Sequence, residues 1–130
     1  MAWSGLGAGG TELVGLGVDD DPNFFYDKLD KLYAEMGVPH VGPSRGMLRL
    51  EQCIGDGYAQ STRAELEFLV EVSRATGVVL DPVYSGKAAL GMVEDLKARP
   101  VERACFIHTG GLLGLYAQEG ALAELVGSWK

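Results

Sequence analysis

Sixteen residues, Gly77 to Met92 (GVVLDPVYSGKAALGM), constrain this chain more than any other part of it. They compress a helix stop, a β-branched run, a rigid turn and a helix start into one unit. Gly77 suits the left-handed conformation that ends a helix, Val78, Val79 and Leu80 read as a short buried extended segment, and Asp81-Pro82 forces a turn. Ser85 and Gly86 then read as the first residues of a helix that carries Ala88, Ala89, Leu90 and Met92. Tyr84 is therefore displayed at a fixed place, with the free amides of a helix start pointing back towards it.

The remaining chain alternates in the same way. Leu13 to Val18 (LVGLGV) reads as a buried strand, and Asp19-Asp20-Asp21-Pro22 supplies an N-cap followed by proline at the first helical position. Phe24, Phe25, Leu29, Leu32, Tyr33 and Met36 recur at helical spacing until Gly37. The run from Val38 to Gly46 has two prolines and reads as a loop, whereas Met47 to Ile54 alternates apolar and polar residues as a half-buried strand does. Gly55 to Tyr58 (GDGY) is a turn ending in an aromatic. Thr62 and Glu65 have capping-box spacing at the head of a helix that buries Leu66, Leu69, Val70 and Ser73. After the helix that runs from about Lys87 to Ala98, Ala104 to His108 (ACFIH) reads as a further buried strand, followed by the turn Thr109-Gly110-Gly111 and the short apolar LLGLY. This order predicts an α/β fold, an open and largely parallel sheet with flanking helices, in one partial domain over residues 1–130, of which 1–12 form a flexible connection.

Charge and composition narrow the function. A net charge of -7 with scattered Lys and Arg argues against nucleic acid or an anionic membrane as partner, and leaves small-molecule chemistry. Cys53 and Cys105 have no second Cys or His at ligand spacing and read as reduced core thiols, so no metal site is expected. The N-terminus MAWSGLGAGG lacks the features of a signal or transit peptide, and no apolar run has the roughly 20 residues that span a bilayer, so the expected location is soluble and intracellular. That is the cytoplasm, or an organelle matrix if a transit peptide lies upstream.

Candidate chemistry concentrates on turns. Gly5 to Thr11 resembles a phosphate loop in composition, but it precedes a strand instead of following one and reads as a terminal connection. Ser85-Gly86-Lys87 lacks the glycine and the hydroxyl that would complete a nucleotide loop, and Lys87 reads as solvated or locally paired, since nothing nearby predicts the desolvation that activates a nucleophilic lysine. Tyr58 and Tyr84 each sit on a glycine-flanked turn beside a helix start, where helix amides would lower a phenol's affinity for its proton; both can equally be packing residues. His108 ends a strand and can be hydrogen-bonded in place, and Thr109-Gly110-Gly111 stands where α/β sheets bind ligands.

Four ordered motifs carry a family resemblance: DDDPNFFYD (19–27), GDGYAQST (55–62), GVVLDPVYSGKAALGM (77–92) and FIHTGGLLGLY (106–116). Together they resemble the C-terminal part of the D-cysteine desulfhydrase/1-aminocyclopropane-1-carboxylate deaminase family, within the tryptophan synthase β-like, fold type II enzymes that use pyridoxal 5'-phosphate. The resemblance implies the C-terminal portion of that large domain and a lyase acting on a small amino acid. It places Tyr84 and Tyr58 as catalytic residues, Thr109 beside the pyridine nitrogen with Gly110 and Gly111 against the ring, and Ser85 at the substrate. The deaminases carry a glutamate after the tyrosine and a leucine before the paired glycines; Ser85 and Thr109 here favour the desulfhydrase, which converts D-cysteine to pyruvate, ammonia and hydrogen sulfide, over the deaminase. The resemblance also implies a homodimer for the full-length enzyme. The family's cofactor-anchoring lysine, its substrate-binding serine and asparagine and its phosphate loop lie upstream of the matching region and have no counterpart in these residues. The competing reading is accordingly a non-catalytic fragment or interaction module, and the isolated chain is expected to be inactive.

Overall fold

The computed structural model describes residues 11–18, 21–37 and 43–127. In chain order it contains β1 (Val14–Gly17), α1 (Pro22–Glu35), a short 3-10 turn (Ser44–Gly46), β2 (Arg49–Gln52), α2 (Arg63–Thr76), α3 (Ser85–Ala98), α4 (Gly114–Ala117) and α5 (Glu119–Val126). The fold is α/β: β1 and β2 form a two-stranded parallel sheet, Val14 opposite Arg49 and Gly17 opposite Gln52, with helices around it. Residues 1–10 of the expected flexible connection (1–12), Asp19, Asp20 and the stretch 38–42 lie outside the described residues.

Local chemistry sets the helix ends. Asp21 caps α1 by accepting the Asn23 amide at 2.9 Å, with Pro22 in the first turn. Thr62 and Glu65 form a complete capping box on α2: the Thr62 hydroxyl accepts the Glu65 amide at 3.1 Å and Glu65 Oε2 accepts the Thr62 amide at 2.6 Å. Gly77 closes α2 in the left-handed region, at φ 76°.

Glycine also permits close packing of α3. A Cβ on Gly91 would run into the Cys53 thiol beyond the end of β2, and one on Gly86 would meet the Leu69 side chain and stand 2.7 Å from the Asp81 carbonyl oxygen. Among the described residues the buried apolar cluster is Leu66, Leu69, Leu80 and Ala89, extended by Phe68, Val72, Phe106, Leu122 and Leu125. The core thus lies between α2, α3 and α5. At the other end of α3, Arg49 bridges Glu12 at 2.8 Å and Asp95 at 2.8 Å, tying β2 to the helix.

Several expectations need correction. Val78–Leu80 and Ala104–His108 are not strands, because among the described residues neither has a neighbouring strand to complete a ladder. Only Leu80 of the first is buried; Val78 and Val79 are exposed, as is Ile107 in the second. Val70 and Ser73 are half-buried rather than core. Cys53 is a half-buried thiol and Cys105 an exposed one, both free, so neither belongs to the core. The short apolar run at 112–116 and the residues that follow it, to 127, hold two helices. No described helix is long and apolar enough to cross a membrane.

Candidate functional site

Asp81 builds the turn that displays Tyr84. Its carboxylate is 2% exposed and accepts four hydrogen bonds: the Ser85 amide and hydroxyl on Oδ1, both at 2.7 Å, and the Val83 and Tyr84 amides on Oδ2 at 2.9 and 3.1 Å. Burial pushes this carboxyl up, but the bonds from Ser85, Val83 and Tyr84 outweigh it and hold it below the ordinary carboxylate range. The Ser85 hydroxyl in turn accepts the Asp81 amide at 2.8 Å, so in this geometry both its proton and a lone pair are engaged within the turn. The amides that open α3 therefore face a buried carboxylate.

Tyr84 follows from that arrangement. Its phenol is exposed, and its hydroxyl shares a hydrogen bond with that of Tyr58, the rings meeting edge to face at a centroid distance of 5.9 Å and 63°. The hydrogen bond with Tyr58, then desolvation and the nearby Asp81 charge, raise the proton affinity of Tyr84. This is opposite to the lowering expected from free helix amides: Asp81 has consumed those amides and brought a negative charge with it. Tyr84 is accordingly a phenol, not a phenolate, at neutral pH.

His108 links this turn to the glycine pair. The Val79 carbonyl can only accept, so Nε2–H donates to it at 3.1 Å, and Nδ1 accepts the Gly110 amide at 3.0 Å. Together these bonds select the Nε2–H tautomer. Further along, Gly114 packs on the Tyr84 turn so closely that a Cβ there would stand 2.9 Å from both Asp81 Oδ2 and Val83 Cγ2. Thr109, Gly110 and Gly111 are exposed; both glycines are at positive φ, 91° and 90°, with nothing within 4 Å of where a Cβ would stand. A flat ring could approach this backbone unobstructed.

Lys87, by contrast, is 2% exposed and neither solvated nor paired locally. Its ammonium donates to the Ile54 carbonyl at 2.7 Å and pairs with Glu65 at 3.1 Å, 22 residues away in sequence. Both partners were visible in the sequence, Glu65 as a cap and Lys87 as a helix-start lysine, but no local signal joins them. Among the described residues there is no His/Cys/Asp/Glu cluster that could hold a metal.

No family model matches the chain. It is similar to the bifunctional D-cysteine desulfhydrase/1-aminocyclopropane-1-carboxylate deaminase, mitochondrial, of Arabidopsis thaliana, at 42% identity over 98% of this chain and 32% of that protein. A D-cysteine desulfhydrase of Salmonella paratyphi B is 36% identical over 47% of this chain and 20% of its own length. Among solved structures, the crystal structure of an ACC deaminase homologue superposes with a TM-score of 0.73 at 30% identity, covering 88% of this chain and 36% of the other. The chain belongs to the D-cysteine desulfhydrase/ACC deaminase family. It spans about a third of the length of the Arabidopsis relative. The four sequence motifs thus pointed to the right family, and the member's α/β fold is the one its structural neighbour shares.

The family implies pyridoxal 5'-phosphate, and the residues present fit one edge of such a group. The bare Gly110–Gly111 backbone and the exposed Thr109 hydroxyl suit a planar heteroaromatic ring. A covalent anchor does not come from Lys87, whose ammonium is enclosed by Glu65 and Ile54.

Proposed function

We propose that these residues form the C-terminal part of a pyridoxal-phosphate-dependent lyase, D-cysteine desulfhydrase in preference to ACC deaminase. The observation that carries the reading is the Tyr58–Tyr84 phenol pair, displayed at the mouth of α3 and tied through Val79 and His108 to the Thr109–Gly111 stretch, in a chain of this family. Ser85 and Thr109 support the desulfhydrase over the deaminase, as in the sequence motifs.

When bound, pyridoxal phosphate supplies the electron sink for deprotonation at the α-carbon and loss of a β-substituent. The protein's part is orientation and proton handling. Thr109, Gly110 and Gly111 would hold the ring of that group, Thr109 through its hydroxyl and the two glycines through bare backbone. Tyr84, held protonated by Tyr58, can donate to a substrate carboxylate or a departing thiolate, and Tyr58 can return the proton through the shared hydrogen bond. Ser85, its hydroxyl engaged with Asp81, serves the substrate side by holding the turn that carries the phenol. The full-length enzyme is proposed to be a homodimer.

The test is a chimera in which these 130 residues replace the corresponding third of the Arabidopsis relative, assayed for hydrogen sulfide from D-cysteine and for ammonia from 1-aminocyclopropane-1-carboxylate. Sulfide release well above deamination is expected. A folded, cofactor-loaded chimera without it would overturn the reading. In the active chimera, Tyr84→Phe is expected to lower turnover by about 10²-fold with the circular dichroism unchanged; an unaltered kcat removes Tyr84 from the mechanism. The chain by itself, mixed with pyridoxal phosphate and treated with borohydride, is expected to carry no reduced adduct on Lys87, as mass analysis would show.

A further inference from the structure

We infer that Lys87 is a positioning residue: its buried ammonium fastens the start of α3 to the foot of the Gly55–Tyr58 turn and thereby holds the Tyr58 phenol on Tyr84. The inference rests on the reading of that phenol pair as functional, and supplies the device that assembles it.

A lysine at 2% exposure has surrendered its water, and an apolar residue of similar volume fills such a space at lower cost. What an apolar residue cannot do is donate a hydrogen bond. The Lys87 ammonium donates to the carbonyl of Ile54, the residue immediately before the turn, at 2.7 Å. That same carbonyl accepts the Gly57 amide at 3.3 Å, so one oxygen both closes the turn and bolts it to α3. Gly55 lies against the ion pair: at φ 61°, a Cβ on it would meet Glu65 Oε1 and stand 2.9 Å from the Lys87 nitrogen.

A second bond holds the far side of the turn. The Gln60 amide donates to the Gly57 carbonyl at 3.2 Å, and the Ser61 hydroxyl donates to the Pro82 carbonyl at 3.2 Å. The two fastenings bracket Tyr58 on one strip of chain and Tyr84 on the other: Ile54 to Lys87 and Ser61 to Pro82. Between them the backbone takes positive φ at Gly55, Gly57 and Ala59, conformations that a free loop containing alanine would not keep. Two exposed phenols meet because their supports are locked together.

The test reads the contact itself, at neutral pH and without cofactor or substrate. In the chain with ring-labelled tyrosine, the nuclear Overhauser cross-peak between the Tyr58 and Tyr84 rings is expected in the unaltered protein and lost in Lys87→Met, while the Thr62–Glu65 cap signals and the helical circular dichroism persist. A folded Lys87→Met that keeps the ring-to-ring cross-peak overturns the inference. Should that variant not fold, Glu65→Gln/Lys87→Met removes the charge pair and keeps a cap for Thr62, with the same two outcomes. Independently, the unaltered chain must show Lys87 ammonium protons protected from water; exchange as fast as that of the surface lysines also overturns it. Because no turnover is measured, failure of the lyase reading leaves these outcomes untouched, and their failure leaves the chimera assay untouched.

Discussion

Asp81→Ala is expected to destabilise the fold by about 3–5 kcal/mol, the sum of several buried amides left without an acceptor. The Val83, Tyr84 and Ser85 amides and the Ser85 hydroxyl all converge on this one carboxylate. Urea unfolding followed by circular dichroism measures the loss, and a change within experimental error would show that the turn holds without Asp81. Asp81 also sets an acid limit. Its folded-state affinity for protons is depressed, so its contribution is complete above the unfolded carboxyl value of about 3.9 and fades as pH falls through the lower folded value. Stability should therefore fall on the acid side in the unaltered chain, with a shallower fall in Asp81→Ala.

Glu65→Ala is expected to cost about 3–5 kcal/mol as well, for a different reason: it strands the Lys87 ammonium in the interior with one neutral carbonyl for company. It also opens the capping box, which contributes about 1 kcal/mol. The separation between these effects is measurable. Lys87→Met placed on top of Glu65→Ala should recover part of the loss, since the unpaired charge is gone while the missing cap remains. A double-mutant cycle by urea unfolding reads that coupling directly, and strict additivity of the two substitutions would mean that the pair is not the reason for the cost.

What could be read from the sequence was what depends on near neighbours. Asp21 with Pro22, Thr62 with Glu65 and the left-handed Gly77 each satisfy backbone groups within a turn of chain, and each appears where the sequence places it. The family was legible for a related reason, because its motifs are runs of contiguous residues. Strand character at Val78–Leu80 and Ala104–His108 was not, because a strand is defined by a partner, and β-branched composition says nothing of whether one is present. Lys87 misled in the same way: its burial is created by Glu65 and Ile54, 22 and 33 residues upstream. The candidate site fell between these cases. Tyr58 and Tyr84 stood out individually by their turn contexts, but their shared hydrogen bond is a tertiary fact, and nothing local shows that Tyr58 raises the proton affinity of Tyr84 while Asp81 takes up the helix amides expected to lower it.

The two segments without a partner strand have a colloidal consequence. Val78, Val79 and Ile107 present apolar side chains to water on segments that have no partner strand among the described residues. Exposed apolar side chains of this kind favour association. Within a larger sheet they would be seams that knit these residues to the rest of an enzyme; left open in solution, the same seams would knit one copy to the next. The features that would integrate this chain into a catalyst are thus the ones that govern how concentrated it can become alone.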